Sequence, residues 1–170
     1  MAKKKNHGKE FEDQIRKGLQ AVEDSWVERL PDQVSRFKGS NNPSDFIFYK
    51  YPRMFYLECK STEEDTLSFE KITQWQDLLE RARVNGIVAG VMVWFINRDE
   101  TYFIDIRLLE CMRQEGYKSI PWDCHWVIDK RIEGWTDYWT TIRGVKKRVY
   151  FDYDMNLFMQ DIEYIYGGND

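Results

Sequence analysis

The sequence predicts an α/β fold, a central mixed β-sheet flanked by helices, with its elements in the order α-β-β-β-α-β. Three observations predict it. Residues 8–23 carry Phe11, Ile15, Leu19 and Val22 at steps of 4, 4 and 3, the spacing of an amphipathic helix. Residues 44–61, SDFIFYKYPRMFYLECKS, hold two apolar runs around the short connection Lys50-Tyr51-Pro52-Arg53, as a β-hairpin does. Residues 87–96 are continuously apolar, the mark of a strand covered on both faces.

The elements follow in order. Asn6 or Gly8 caps the first helix, and Trp26 to Leu30 forms a short extended piece ended by Pro31. KGSNNPS at 38–44 is loop by composition. Strands follow at about 45–49 and 54–60, then a polar stretch at 61–67. Ser68 caps a helix from Phe69 to Val84, with Phe69, Ile72, Trp75, Leu78, Leu79 and Ala82 on one face. Asn85-Gly86 stops it. After the strand at 87–96 the chain turns over Asn97 to Glu100 into a strand at Thr101 to Ile106 and a helix at Arg107 to Gln114. Further on, His125 to Ile132 reads as a strand, Tyr138 to Tyr153 as a hairpin turning at Gly144, and Met155 to Tyr166 as a final helix. The expectation is a single domain over 1–170, with its core at about 6–115 and an extension at about 117–170.

Composition narrows the function classes. The chain is 42% hydrophobic and 16% aromatic, which argues for a packed core and against disorder. No apolar run approaches the roughly 18–20 residues of a membrane-spanning helix. The start, MAKKKNHGKEFE, has positive charge with no apolar segment behind it, unlike a secretory signal. Cys59, Cys111 and Cys124 are too scattered for a disulfide framework or a zinc site, and a reducing, cytoplasmic setting in a bacterial or phage-infected cell is expected. His7 and His125 have no second ligand pair at metal spacing. The net charge of −4 is uneven: residues 1–60 hold twelve Lys/Arg against nine Asp/Glu, and the remainder thirteen against twenty.

The chemistry sits at the hairpin's edge. Side chains alternate faces along a strand, so Glu58 and Lys60 share one face and Leu57 and Cys59 the other. In an antiparallel hairpin the start of one strand lies beside the end of the other, which brings Asp45 to Glu58 and Lys60. Two converging carboxylates repel unless a cation lies between them. A hard divalent cation such as Mg²⁺ takes oxygen ligands, and a nearby lysine can position water or offset phosphate charge. The set suits metal-assisted phosphodiester hydrolysis. The same residues also suit a turn aspartate and a cross-strand ion pair on a solvated strand edge. Glu58-Cys59-Lys60 is the one acid-x-Lys triplet in the chain, and twelve residues separate it from Asp45.

An Asp, a twelve-residue hairpin and Glu-x-Lys, with a helix before and an apolar strand after, resemble the PD-(D/E)xK nuclease superfamily and its restriction-endonuclease-like core. Pro43-Ser44-Asp45 stands where that name has Pro-Asp. More specifically, the chain resembles the RecU-type Holliday-junction resolvases. Asn6-His7-Gly8-Lys9-Glu10-Phe11-Glu12 is similar to that family's first helix start. Residues 56–62, YLECKST, are similar to its catalytic strand. Ser68-Phe69 followed by Trp75-Gln76 is similar to its second helix, and Lys118-Ser119-Ile120 to a later stretch. The resemblance implies that Asp45 and Glu58, with the Cys59 backbone carbonyl, ligate Mg²⁺, with Mn²⁺ as a substitute. It implies that Lys60 serves the attacking water, that Glu12 approaches as a further acid, and that Gln76 contacts the site or the scissile phosphate. It also implies a homodimer acting on four-way DNA junctions, with no organic cofactor and no membrane. The chain departs from the type in having only residues 31–43 where the family carries a long stalk, and Gln74-Trp75-Gln76 where it carries a His beside the Gln.

Basic residues supply candidate DNA contacts. These are Lys3, Lys4 and Lys5 in the N-terminal arm, Arg36 and Lys38 before the hairpin, and Arg143, Lys146, Lys147 and Arg148 near Gly144. Trp135, Tyr138, Trp139 and Tyr150 flank the last group. A restriction-like nuclease acting on duplex or branched DNA, a junction-binding protein that does not cut, and a protein with incidental edge charges are the competing readings.

Overall fold

The computed structural model describes residues 6–31, 42–123 and 138–167. Helix α1 (His7–Gln20) leads into β1 (Ser25–Arg29), and the hairpin β2 (Phe46–Lys50) and β3 (Arg53–Thr62) follows. Next come β4 (Thr66–Ser68), a 3₁₀ turn at Phe69–Lys71 and α2 (Trp75–Arg81). Then follow β5 (Ile87–Phe95), β6 (Glu100–Asp105), α3 (Ile106–Gln114) and β7 (Ser119–Pro121). The last elements are β8 (Trp139–Thr141), β9 (Gly144–Lys146), β10 (Phe151–Tyr153) and α4 (Met155–Tyr166).

Six strands form one sheet in the order β1-β2-β3-β5-β6-β8. Neighbours are antiparallel except β3 and β5, which run parallel from Met54↔Ile87 to Thr62↔Phe95. A parallel pair needs a crossover, and α2 lies on it. The alternation of β5 sorts the two faces. Ala89, Val91, Val93 and Phe95 join a core with Trp75, Leu78, Leu109 and Met112 from α2 and α3. Val88, Met92 and Trp94 join a second core with Phe11, Ile15 and Leu19 from α1 and Phe158 and Ile162 from α4. Both faces of β5 are covered, which is why its sequence is unbroken by polar residues.

Gly90 in β5 has a steric reason. A Cβ there would lie 2.4 Å from the Ile104 carbonyl oxygen and 2.7 Å from the Phe103 ring. Both belong to the neighbouring strand and cannot withdraw without breaking the ladder. Gly90→Ala is expected to destabilise the fold by about 3 kcal/mol, measured as a lower urea midpoint with an unchanged slope.

Three expectations are corrected. The helix expected from Phe69 to Val84 is two pieces, because Ile72 (φ −95°, ψ 79°) leaves the helical region after the 3₁₀ turn and α2 restarts at Trp75. Ser68 caps the turn rather than a long helix, accepting from the Glu70 N–H at 3.3 Å. Phe69, Ile72, Trp75, Leu78 and Ala82 are still buried, so the periodicity marked a face and not continuity. The hairpin near Gly144 turns later, where the Lys147 N–H donates to the Tyr150 carbonyl at 2.7 Å. Gly144 itself is a strand residue paired with Tyr153, and a Cβ there would lie 2.7 Å from the Asp152 carbonyl oxygen. The polar stretch at 61–67 and residues 119–121 also supply a second, two-stranded sheet, β4 with β7. The strand expected at His125 to Ile132 lies outside the described residues.

Candidate functional site

The hairpin register Phe46↔Leu57 sets Asp45 opposite Glu58 where the β2–β3 ladder ends. Phe46, Phe48, Phe55, Leu57 and Cys59 turn into the α1 core, while Tyr56 packs toward the α2 face. Glu58 follows Tyr56 in the alternation and takes that same face. Beyond Leu57 the edge of β3 has no β2 partner, and Asp45 fills the gap. Its Oδ2 accepts from the Cys59 N–H at 2.7 Å. The N–H and C=O of one strand residue point to the same side, so the Cys59 carbonyl emerges at this edge as well.

Glu58 is fully buried, with its side chain 1% exposed. Lys60 Nζ forms an ion pair with Glu58 Oε1 at 2.7 Å. Glu58 Oε2 is buried without a hydrogen-bond partner among the described residues. Burial pushes the Glu58 carboxyl up to about 7, and the Asp45 charge adds to the rise while Lys60 opposes it. Burial likewise pushes Asp45 up to about 6, against the pull of the Cys59 N–H, with the charge of Glu12 raising it further. Two carboxylates that resist ionisation side by side describe a site short of positive charge.

Glu12 reaches the site from α1. Its Oε2 is held by Arg29, at 2.7 Å from Nη2 and 3.2 Å from Nε. Arg29 is the residue that sequence reasoning missed. The register sets Arg29 beside Phe46, one residue from Asp45, and its charge lowers the Asp45 carboxyl. The only signal available was its place at the end of the short strand before Pro31. The Cys59 thiol is buried, and burial together with Asp45 and Glu58 pushes its pKa well up, so the side chain is packing and not a nucleophile.

Of the sequence-predicted residues, the structure brings together Asp45, Glu58, Cys59, Lys60 and Glu12. Gln76 stands exposed in the first turn of α2 and makes no hydrogen bond to these side chains. Arg143 pairs with Asp161 at 2.7 Å, Lys146 with Asp99, and Lys147 with Asp152 at 3.9 Å. These pairs are substantially exposed, hold their partners weakly and leave the cations available to solvent. Lys3, Lys4, Lys5, Arg36 and Lys38 lie outside the described residues, as does Trp135.

The donor set can be tested against a metal. No group of three or more His, Cys, Asp or Glu side chains able to hold an ion occurs among the described residues. Mg²⁺ is bound by one or two carboxylates, with water and other oxygens completing its shell. The buried Glu58 carboxylate, with Oε2 free of hydrogen bonds among the described residues, Asp45 and the edge carbonyl of Cys59 fit that requirement.

No protein-family model matches the chain, and no curated protein matches it in sequence. Among solved structures it is similar to Archaeoglobus fulgidus Hjc, a Holliday junction resolvase from an archaeal hyperthermophile, at 20% identity and a TM-score of 0.50. The match covers 67% of this chain and 88% of the other. The likeness establishes the fold as restriction-endonuclease-like, with a mixed sheet flanked by helices, and does not single out the RecU type. No helix among the described residues is long and apolar enough to cross a membrane.

Proposed function

We propose that the chain is a Mg²⁺-dependent endodeoxyribonuclease that hydrolyses phosphodiesters in branched DNA, with the four-way junction as its substrate and a two-fold homodimer as its working form. The observation that carries the reading is the buried Glu58 carboxylate, paired with Lys60 at one oxygen and without a hydrogen-bond partner among the described residues at the other, beside Asp45 at the open edge of β3. The fold shared with an archaeal junction resolvase supports the substrate class. A junction has two-fold symmetry and needs paired cuts, which a C2 dimer supplies.

Asp45, Glu58 and the Cys59 carbonyl would hold the cation, which supplies charge neutralisation at the phosphate and acidifies water. Lys60, a quarter exposed and tethered to Glu58, keeps its ammonium at the mouth of the site. There it orients the attacking water and balances charge on the phosphate oxygens. Glu12, fixed by Arg29, stands as the acceptor for a proton the water loses. The bond from water oxygen to phosphorus forms, the P–O ester bond breaks, and the leaving alkoxide takes up a proton. Incubating the protein with labelled four-way junction, flap and linear duplex tests the substrate. Paired nicks on the junction are expected, and equal cutting of the duplex would overturn the junction assignment.

The raised carboxyls give a pH prediction. Their folded pKa values of about 6 and 7 lie above the ordinary 3.8 and 4.5. Without a cation, the stability they contribute is complete below about pH 4 and is lost as pH rises through 6 to 7. A cation competes with those protons, so its binding strengthens over the same window. Lys60 and Arg29 oppose the rise and Glu12 adds to it. Mg²⁺ is expected to raise Tm more at pH 8 than at pH 5, and thermal scans at both values check this. Equal shifts at both would contradict it.

Replacing Lys146, Lys147 and Arg148 together with Ala is expected to weaken DNA binding and flatten its dependence on salt by up to about three phosphate contacts. Titrations across a salt series check this, and unchanged affinity would remove β9 and its turn from the DNA surface.

A further inference from the structure

At the end of the sheet opposite Lys60 lies a recess of about 440 Å³, between the start of β3, the turn from α2 into β5, and Tyr138 and Tyr166. Four strand residues separate its Arg53 from Glu58, about 16 Å along β3, so it is distinct from the carboxylate site. Its volume is that of a small-molecule pocket. Three arginines line it, Arg53, Arg83 and Arg107.

Their charge balance determines what the recess can hold. Arg107 is matched by the fully buried Asp105, with Nε 3.0 Å from Oδ1 and Nη2 2.8 Å from Oδ2. The Tyr166 hydroxyl donates to the same Oδ2 at 2.6 Å. Arg53 has no such match. It is only 9% exposed, its Nη2 donates to the Tyr166 carbonyl at 2.7 Å, and it forms no ion pair among the described residues. Glu163 shares an adjoining recess with Arg53 but does not pair with it. Arg83 is exposed and also forms no ion pair among the described residues.

A guanidinium is always charged, and burying one without a counter-charge is costly. Arg53 is such a group, and the exposed Arg83 adds a second guanidinium without an ion pair among the described residues to the same lining, so the recess calls for an anion, whose phosphate oxygens their planar forks match. The Arg107 guanidinium lies 5.1 Å from the Tyr138 ring centre. We infer that this recess binds a phosphate-bearing ligand of mononucleotide size, with Arg53 and Arg83 gripping the phosphate. The inference does not rest on the nuclease reading.

The test is calorimetric titration of the full chain in EDTA, which silences any metal-dependent binding. Deoxyadenosine monophosphate is expected to bind, inorganic phosphate to compete with it, and deoxyadenosine to give no heat. Arg83→Ala is expected to weaken binding by about tenfold. Arg53→Gln should weaken it further, and Glu58→Gln should leave it unchanged. A 5′-phosphorylated tetranucleotide that displaces the mononucleotide would assign the natural ligand to a DNA strand end, whereas no displacement would assign it to a free nucleotide. Both outcomes uphold the phosphate site. Deoxyadenosine binding as well as its monophosphate, no heat from any phosphate, or wild-type affinity in Arg83→Ala would overturn it. The Arg83 result stands even if Arg53→Gln fails to fold.

Discussion

Lys60→Ala is expected to lower the rate of DNA cleavage by about 10³-fold, within the range for loss of a positioned acid–base or charge-stabilising group. Its affinity for a four-way junction should stay near that of the wild type. The split follows from where Lys60 sits. Its ammonium is tied to the buried Glu58 at 2.7 Å, so it serves one point at the site and does not track a backbone. Single-turnover cleavage and a binding titration in Ca²⁺ read the two effects separately. Loss of affinity equal to the loss of rate would make Lys60 a phosphate clamp and not a catalytic group.

Glu58→Gln carries the second large effect, and its two readouts point in opposite directions. Cleavage should fall below detection, because the amide offers the cation no charge. In metal-free buffer at pH 8, however, the variant should melt higher than the wild type by a few degrees, roughly the shift of 1 kcal/mol in a domain of this size. The reason is that burial and the neighbouring Asp45 charge, against the pull of Lys60, push the Glu58 carboxyl up to about 7, so ionising it at pH 8 costs stability. Gln is nearly isosteric and uncharged. Adding Mg²⁺ should close the gap by stabilising the wild type alone. A Glu58→Gln protein less stable than the metal-free wild type would mean that the Lys60 pair repays the burial of Glu58 without a cation. Gain of stability with loss of activity is the signature of a residue kept for function.

Much of this site was legible because hairpin geometry is local. Asp45, Glu58 and Lys60 lie within one pair of strands, and strand alternation with antiparallel pairing is enough to bring them together. The buried strand Ile87–Phe95 and the apolar face of α1 were legible because burial on both faces, or on one helical face, leaves a periodic trace. What joins distant segments left no such trace. Arg29 fixing Glu12 crosses from β1 to α1, and neither residue advertises the other. The break at Ile72 was hidden because the 3₁₀ turn and α2 bury the same face as one continuous helix. Gly144 read as a turn residue because glycine marks close backbone approach in strands as well as turns. The arginine-lined recess draws on positions 53, 83 and 107 with Tyr138 and Tyr166, a set that exists only once the sheet has assembled.

The most direct test of the central claim is a nicking assay on a labelled four-way junction, with wild type and Glu58→Gln side by side, each in Mg²⁺ or in EDTA. The account predicts cuts from the wild type in Mg²⁺ only, and from the variant in neither. Cutting by the wild type in EDTA, or by Glu58→Gln in Mg²⁺, would show that the chemistry does not run through the carboxylates at the edge of β3. No cutting in any lane would leave those carboxylates without a catalytic role and return the chain to a protein that binds DNA without cleaving it.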